Sequence, residues 1–438
     1  MILRDPVHGL VAFEDDAERV VASLLETREV QRLRRVRQLG MTSLVFPGAE
    51  HSRFAHALGA AHLMNRLLSR IEHAGSELPQ DMRLDAESRR DALAAALLHD
   101  LGHGPFSHLF EEVLPGARHH EEWTTEAILD SSTDVHKKLS AIDSGMPGRV
   151  VALLTGSHRL SYLSRAVSGT LDVDRADYLL RDSHMTGVRY GLFDFDWLLR
   201  ALAFGFVEHA RGGEWVLAIE GRKGLPPIEG FFLARNAMYQ QVYHHKATRA
   251  AEALIRGLFL RLGELVRSGK SPEGTPDALA RAARGEKISL ESYLALDDSV
   301  LLHNFSLWAK SSDPVLADIA ERLVARRLPK TIPLPEDESA RPLWNEAHRR
   351  ATEIVEKRGM RADLTVFLDE PSDMPYSEPA DDSADGIWVA LRHQPMRRLS
   401  DVSFLLGQLK GARVVRPRLI FPAEAREDVV RAVEEVIG

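Results

Sequence analysis

Residues 97–104 read Leu-Leu-His-Asp-Leu-Gly-His-Gly and close an almost unbroken apolar stretch that begins at Ala92. This stretch predicts a helix over 92–101, and an apolar helix rarely ends on adjacent histidine and aspartate for packing reasons alone. Imidazole and carboxylate ligands together suit iron, manganese, zinc or nickel better than calcium. The octapeptide therefore indicates a metal site at a helix end. The alternative is that His99 and Asp100 only cap the helix.

Helical spacing of apolar residues recurs through residues 1–265, where strand-like stretches are few. The helical stretches are 20–39, 54–71, 92–101, 173–184 and 230–265. The best strand candidate in this region is 214–219 (EWVLAI). The sequence therefore predicts a mainly α protein in which residues 1–265 form one large helical core.

Two stretches that are typical of turns or linkers divide the rest of the chain. Gly269–Pro276 (GKSPEGTP) is typical of a turn or hinge, and 369–386 carries seven acidic and no basic residues. Strand-like stretches and an amphipathic helix follow the acidic segment. We therefore expect a helical extension over 266–368, a solvated acidic linker over 369–386 and a smaller C-terminal α/β subdomain over 387–438.

Composition excludes several classes of protein. Hydrophobic residues make up 44% of the 438 and charged residues 27%, which is ordinary globular usage. No apolar run approaches the roughly 18 residues of a membrane span, and the first residues lack the pattern of a secretory signal. Cysteine is absent, which excludes disulfides and thiolate metal ligands and fits a cytoplasmic location. We expect no membrane partner.

The net charge of −8 argues against nucleic acid as the main ligand. There are 56 basic and 64 acidic residues, and the seven acidic residues of 369–386 account for most of the imbalance. The chain therefore lacks the global positive charge that attracts a polynucleotide backbone.

Histidine is unevenly distributed, since 16 of the 19 histidines lie at or before His245. Clustered histidine and aspartate in a cysteine-free chain make metal chemistry a reasonable hypothesis. His56 lies at the start of one predicted helix and Asp174 at the start of another. The alternatives are that His56 is a core residue and that Asp174 is a helix cap.

Two stripes of functional side chains lie on predicted helices. One contains Asp174, Tyr178 and Asp182 at intervals of four residues. The other contains Arg235, Tyr239, Tyr243 and Lys246. Arginine and lysine bind phosphate, and tyrosine stacks on a sugar or a base. The alternative for the second stripe is a surface of long polar side chains or an oligomer face.

Seven segments together resemble one family. They are DPVHG (5–9), QLG (38–40), FPGA (46–49), RFAH (53–56), HDLGHGPFSH (99–108), DVDRADYLLRD (172–182) and YHHK (243–246). Over about residues 1–260 the chain is similar to the HD-domain deoxynucleoside-triphosphate triphosphohydrolases. The resemblance implies a helical HD core and hydrolysis of a dNTP to deoxynucleoside and inorganic triphosphate.

The order His56, His99, Asp100, Asp174 resembles the H…HD…D signature of HD-domain phosphohydrolases. The resemblance implies that these four residues hold a divalent transition metal, namely iron, manganese, nickel or zinc. It also allows a second magnesium or manganese ion on the substrate phosphates. Such an ion makes water a nucleophile near neutral pH, and the expected attack is on the α-phosphorus.

The resemblance also assigns the proton and phosphate contacts. It implies that His108 is the general acid for the leaving 5′-oxygen and that His103 contacts a phosphate. His120 would lie at a second metal or a phosphate. Glu121 would orient His108, since a carboxylate hydrogen-bonded to an imidazole fixes its orientation. The alternative for 119–122 is a polar, solvated helix start.

Nine positions match the substrate contacts of the family. Arg53, Arg175, Arg235 and Lys246 match phosphate contacts, and Gln38, Leu39, Tyr178, Asp182 and Tyr243 match contacts on the sugar side. The resemblance implies that Leu39 and Tyr243 exclude a ribose 2′-hydroxyl and that Asp182 contacts the 3′-hydroxyl. Arg175 stands where a member of the family has lysine, which keeps the charge and changes the shape.

One member of the family also binds nucleotides between subunits. In the matching stretch of this chain, Glu26, Gln31 and Arg34 would read a guanine edge and a phosphate. The resemblance thus implies an activating nucleotide and a homo-oligomer, either a dimer or a tetramer. The alternative is an exposed arginine-rich helix.

Other functions stay open on the sequence alone. HD sites share their metal residues across many substrates, so an alarmone or a nucleoside monophosphate is the alternative substrate. A nucleotide-sensing oligomer without catalysis is the third hypothesis. The sugar-side residues favour the dNTP, and the presence of His108 with four candidate ligands favours an enzyme.

Overall fold

The computed structural model describes residues 1–106, 108–209, 212–379 and 385–438. The side chains of His108 and His209 also lie outside the described part. Within it, 21 α-helices and 11 short strands confirm the predicted mainly α fold class. No helix in the described ranges is long and apolar enough to cross a membrane.

The helices are numbered in chain order. Their bounds are Arg19–Leu25 (α1), Arg28–Arg32 (α2), Arg53–Ala74 (α3), Ala86–Leu98 (α4), His108–Val113 (α5), His120–Leu129 (α6), Asp134–Ile142 (α7), Met146–Leu154 (α8), Ser161–Val167 (α9), Val173–Thr186 (α10), Phe195–Arg200 (α11), Leu225–Met238 (α12), Lys246–Arg267 (α13), Asp277–Arg284 (α14), Leu290–Leu294 (α15), Asp298–Trp308 (α16), Pro314–Val324 (α17), Arg341–Lys357 (α18), Leu399–Val402 (α19), Phe404–Leu409 (α20) and Arg426–Ile437 (α21).

The strands form four small sheets. Their bounds are Ile2–Asp5 (β1), Gly9–Ala12 (β2), Leu202–His209 (β3), Gly212–Glu220 (β4), Lys330–Pro333 (β5), Phe367–Asp369 (β6), Ser372–Asp373 (β7), Trp388–Ala390 (β8), Arg397–Arg398 (β9), Val414–Val415 (β10) and Arg418–Phe421 (β11). The sheet orders are β1-β2, β10-β7, β5-β11-β6 and β3-β4-β8-β9, and β4–β8 is the parallel pair. Strand β4 contains the strand predicted over 214–219.

Helix α3 lies inside the main core and packs against both α4 and α10. Helix α4 is buried around its circumference because residues 92–98 are all alanine or leucine. Gly59 lets α10 approach α3, since a Cβ at this position would clash with the side chains of Asp177 and Arg181. This close packing brings the starts of α3 and α10 to the end of α4.

Helix α10 begins at a polar cap. The N-cap residue is Asp172, whose Oδ1 accepts the backbone amide of Arg175 at 2.7 Å. The helix ends at Gly187, which takes a left-handed conformation with φ of 76°. Because Asp172 caps the helix, Asp174 in the first turn is available for another role.

The C-terminal part has a second apolar core. Helices α18 and α21 pack on each other, and the sheet β5-β11-β6 contributes buried Leu419 and Phe421 from its central strand. The predicted division of the chain at 265, 368 and 386 stays a prediction.

Two predicted helices are interrupted. The helix predicted over 230–265 is divided by a π-helical turn over 239–243, and α13 begins only at Lys246. His245 caps α13 by accepting a backbone amide with its Nδ1. The helix predicted over 20–39 is divided into α1, α2 and a 3₁₀ turn. Local capping therefore overrides the continuous apolar spacing.

The start of the acidic segment is packed into the protein. Asp369 is buried and accepts hydrogen bonds from Arg249 at 2.6 and 3.1 Å, and Asp373 pairs with Arg235 at 2.8 Å. The expectation of a solvated linker does not hold for these residues, because largely buried guanidinium groups require anionic partners. Residues 380–384 lie outside the described part.

Candidate metal centre and its surroundings

Four residues predicted as metal ligands come together where α3 and α10 begin and α4 ends. His56 lies in the first turn of α3, and Asp174 lies in the first turn of α10. His99 is the C-cap residue of α4, and Asp100 follows it. His56 and Asp100 are buried, whereas His99 and Asp174 are partly exposed.

The distances among three of these side chains fit one shared ion. His56 Nε2 lies 3.2 Å from His99 Nε2 and 3.0 Å from Asp174 Oδ1. Ligand atoms about 2.1 Å from an ion lie roughly 3.0 to 3.4 Å apart at octahedral or tetrahedral angles. His56, His99 and Asp174 could therefore hold a divalent metal. Asp100 lies beside them, with Oδ2 3.7 Å from His56 Nε2 and Oδ1 3.5 Å from His99 Nε2.

The hydrogen bonds of the two histidines also suit a metal. His56 Nδ1 lies 2.8 Å from Asp177 Oδ2, and His99 Nδ1 lies 2.9 Å from the carbonyl oxygen of Ala96. Both Nδ1 atoms have acceptors as partners, so each carries the proton of the neutral ring. Two Nε2 lone pairs then face each other across 3.2 Å, an arrangement that a cation stabilises.

The pocket also stabilises positive charge on its imidazoles. Burial lowers the pKa of His56, but the hydrogen bonds with Asp174 and Asp177 outweigh burial and raise that pKa to about 10. Burial likewise opposes ionised Asp174, yet both histidines hold its pKa below the usual range. A metal ion between these side chains would place positive charge beside the same carboxylates.

Carboxylates and guanidinium groups both surround the cluster. Asp100 pairs with Arg53, and Asp5 and Asp177 pair with Arg181. Asp174 contacts His56 and His99. A cation held by these three residues would place positive charge beside the Asp174 carboxylate.

A second cluster adjoins the first. His103 Nε2 lies 3.1 Å from Asp100 Oδ1, and the His103 ring stacks on that of His120 with centroids 3.8 Å apart. Glu111 Oε1 lies 3.2 Å from His120 Nδ1. His103, Glu111 and His120 could together hold another ion. Sequence reasoning missed Glu111, which lies in the first turn of α5.

The predicted general acid cannot be placed. The His108 side chain lies outside the described part of the chain. Glu121, predicted to orient it, is exposed in the first turn of α6. The assignments of His108 and Glu121 therefore stay predictions.

The sugar-side residues form a wall beside the metal cluster. The ring of Tyr178 lies 6.4 Å from that of His56 and 6.1 Å from that of Tyr243. Tyr243 Oη donates to Asp182 Oδ2 at 2.8 Å. Asp182 Oδ1 lies 2.7 Å from Nε2 of His51, a buried residue that sequence reasoning missed.

Of the other two sugar-side candidates, Gln38 adjoins this wall through its backbone. The amide of Gln38 donates to the carbonyl oxygen of His51 at 3.0 Å. Leu39 is partly buried against the main core. The structure thus links Gln38 to Asp182 through His51.

The predicted phosphate contacts divide into two groups. Arg53 is buried and donates to Asp100, so it lies at the metal cluster. Arg175 and Arg235 line a cavity of about 300 Å³, where Arg175 pairs with Asp172. Lys246 instead lines a different cavity, of about 500 Å³, formed with the C-terminal part.

The candidate regulatory residues lie around α2. Gln31 Oε1 accepts from Arg34 Nε at 2.8 Å, and Gln31 Nε2 donates to the carbonyl oxygen of Leu25. The Arg34 guanidinium stacks on the Phe54 ring at 3.6 Å. Glu26 is the exposed C-cap residue of α1. Two of these residues are therefore in contact with each other.

Comparison with known proteins supports the geometry. Residues 53–182, which contain the four candidate ligands, match the HD domain family. The uncharacterized protein YwfO of Bacillus subtilis is 32% identical over 97% of this chain and 92% of its own length. The crystal structure of a phosphohydrolase from Bacteroides thetaiotaomicron superposes with a TM-score of 0.78 at 27% identity, covering 96% of this chain and 99% of that one.

Vertebrate relatives carry a more specific name. The deoxynucleoside triphosphate triphosphohydrolase SAMHD1 of Homo sapiens is 27% identical over 74% of this chain, and that of Bos taurus is 29% identical over 76%. The chain spans 53% and 58% of the lengths of those two proteins.

Proposed function

The chain belongs to the HD-domain family of metal-dependent phosphohydrolases, and from that premise we propose that it hydrolyses deoxynucleoside triphosphates to deoxynucleoside and inorganic triphosphate. The observation that carries the proposal is that the sugar-side wall lies beside the metal cluster. The centroid of the Tyr178 ring lies 6.4 Å from that of His56 and 6.1 Å from that of Tyr243, so a nucleotide whose phosphorus lies near the cluster would have its sugar beside this wall. The SAMHD1 relatives support the same substrate class.

In this proposal His56, His99, Asp100 and Asp174 hold a divalent metal. When bound, such an ion activates water and stabilises negative charge on the phosphate oxygens. Arg53 lies beside Asp100 and is placed to neutralise a further phosphate oxygen. His103, His120 and Glu111 are available for a second ion or for the phosphates themselves.

The proposed general acid is His108. The alternative acid within the described cluster is His103, but burial and then the charge of Arg53 hold the pKa of His103 well below its usual range. A histidine with such a pKa is neutral at pH 7 and has no second proton to donate. His103 donates its one proton to Asp100 and is therefore poorly suited to protonate the 5′-oxygen.

The sugar-side wall supports a preference for deoxyribose. Asp182 is oriented by His51 and Tyr243, and the proposed role of its carboxylate is to accept the 3′-hydroxyl. Leu39 and the Tyr243 ring are proposed to fill the space of a 2′-hydroxyl, which would be buried without a partner there. The sugar-side wall bears on the sugar and not on the number of phosphates. The alarmone and the nucleoside monophosphate are therefore also tested as substrates.

Product analysis tests the proposal. The metal-loaded protein is incubated with each dNTP, each NTP, a nucleoside monophosphate and a guanosine tetraphosphate, and the products are separated by ion exchange. Inorganic triphosphate with deoxynucleoside, formed from dNTPs, is the expected result. Release of orthophosphate or pyrophosphate, or turnover of the other substrates alone, would overturn it. Asp100→Ala is the control that loses turnover.

We also propose that a guanine nucleotide binds at Glu26, Gln31 and Arg34 and activates a homo-oligomer. The Arg34–Phe54 stack supports this, because Phe54 and His56 both lie in the first turn of α3. GTP or dGTP should increase the rate on other dNTPs, and Arg34→Ala should remove that increase. Rates that do not respond to either nucleotide would refute the regulatory site alone.

A further inference from the structure

The N-terminal hairpin reaches the metal cluster through one buried histidine. Strands β1 and β2 pair antiparallel with Asp5 opposite Gly9, and His8 lies in the turn between them. His8 Nε2 lies 2.6 Å from Asp177 Oδ1, and the His8 side chain is only 6% exposed. Asp177 also contacts the Nδ1 atom of His56. A turn far from α3 in the sequence thus touches the partner of a candidate metal ligand.

Hydrogen bonds hold the carboxylate of Asp177 on both oxygens. Oδ1 accepts from His8 and from the terminal nitrogen of Arg181 at 3.0 Å. Oδ2 accepts from His56 Nδ1 and from Arg181 Nε, both at 2.8 Å. The carboxylate plane is therefore fixed, and with it the direction in which Asp177 presents an acceptor to His56.

Asp5 closes the arrangement from the side of the hairpin. Its Oδ1 accepts the backbone amides of Val7 and His8, each at 2.9 Å, and its Oδ2 accepts from Arg181 at 2.7 Å. Asp5 therefore orients both groups that hold Asp177, namely the turn that carries His8 and the Arg181 guanidinium. All of these side chains are buried or nearly so.

We propose that His8 is a positioning residue that acts through Asp177 on His56, so that the N-terminal hairpin forms part of the metal site. Without the His8 hydrogen bond, Asp177 Oδ1 keeps only Arg181, and the carboxylate can rotate toward that guanidinium. His56 then loses the fixed partner of its Nδ1, and its Nε2 is no longer aimed at the shared ion. Metal affinity falls although His8 touches no metal ligand. The inference rests on the metal site of the proposed function and not on the substrate.

The test compares two polar substitutions of different reach. Glutamine places its amide nitrogen close to the position of histidine Nε2, whereas the asparagine nitrogen lies near that of Nδ1 and falls short of Asp177. Apo protein is prepared by chelation, and the dissociation constant for Mn²⁺ alone is measured from free Mn²⁺ by electron paramagnetic resonance. We expect His8→Asn to weaken binding about tenfold, the lower end of the range for groups that support metal ligands.

The glutamine variant separates positioning from folding. His8→Gln should keep the dissociation constant near the wild-type value, and loss as large as that in His8→Asn would overturn the proposal. His62→Asn is the matched control, since the His62 ring packs 5.3 Å from that of His8 outside the hydrogen bonds described here. It should bind Mn²⁺ like the wild type. Wild-type affinity in folded His8→Asn would equally refute the inference.

A substitution at a second position tests the proposal even if His8→Asn does not fold. Asp5→Asn keeps the volume of the side chain and weakens the hold on both His8 and Arg181, so it should also weaken Mn²⁺ binding severalfold. Unchanged affinity in folded Asp5→Asn would contradict the proposal. Because no nucleotide is present, these results stand even if the protein acts on a substrate other than a dNTP.

Discussion

Arg235 donates two hydrogen bonds to the carboxylate of Asp373, at 2.8 and 3.2 Å, which join α12 to strand β7 of the C-terminal part. Arg235 also donates to the carbonyl oxygen of Met374 at 3.0 Å. The proposed role of Arg235 is to contact the distal phosphates of the substrate. A nucleotide would therefore compete with Asp373 for the same guanidinium.

The first prediction concerns this competition. Asp373→Asn removes the negative charge and should lower the KM for a dNTP about three- to tenfold, since a partly buried charge pair contributes about 1 kcal/mol. Initial-rate kinetics check it. Glu370→Gln is the control because Glu370 pairs with Arg341 on the surface, at 2.6 Å, and its KM should not change. A higher KM in Asp373→Asn would mean that Asp373 positions Arg235 for substrate.

The second prediction separates two neighbouring aspartates of α10. Asp174→Asn should lose the bound metal and at least 100-fold of turnover, because asparagine is a weaker and uncharged ligand. Asp172→Asn should keep the metal, since asparagine caps a helix nearly as well as aspartate. Elemental analysis and turnover are measured on the same preparations. Metal retained in Asp174→Asn would exclude this residue as a ligand.

The third prediction follows from the raised pKa of His56. In the metal-free protein the pKa is about 10 against 6.5 in the unfolded chain, so protonated His56 stabilises the fold fully below pH 6.5. That stabilisation is lost as pH rises toward 10. Metal binding needs the deprotonated ring, so the affinity for the metal rises over the same pH interval. The increase of Tm caused by Mn²⁺ should therefore grow from pH 6.5 to 8.5 in calorimetry, and a constant increase would argue against a proton–metal exchange at His56.

The fourth prediction concerns recognition of the sugar. Asp182→Asn keeps the shape of the side chain and loses its charge, so kcat/KM for a dNTP should fall about tenfold. A 2′,3′-dideoxynucleoside triphosphate has no 3′-hydroxyl, so its kcat/KM should be nearly the same in the variant and the wild type. Competition between the two substrates measures the ratio of their kcat/KM values directly. An equal loss on both would assign Asp182 a structural role through His51 and Tyr243.

The sequence identified the helices that carry the candidate ligands. It did not identify the residues that hydrogen-bond to those ligands. The motif residues His56, His99, Asp100 and Asp174 do lie together, because their spacing marks helix ends that a compact helical core brings into contact. Their role as metal ligands stays a proposal.

The supporting residues were missed because their contacts cross long stretches of chain. Asp177 contacts His56 across 121 residues, and His51 contacts Asp182 across 131. No local pattern distinguishes such a pair from a capped or solvated residue. The same reason explains Asp369 and Asp373, whose acidic surroundings indicated a solvated linker although distant arginines bind them.

The most direct test of the central claim follows one oxygen atom. The protein hydrolyses a dNTP in water enriched in oxygen-18, and the products are analysed by mass spectrometry. Attack on the α-phosphorus with release of the 5′-oxygen predicts one labelled oxygen in inorganic triphosphate and an unlabelled deoxynucleoside. Label in the deoxynucleoside, or in orthophosphate or pyrophosphate in place of triphosphate, would contradict the account.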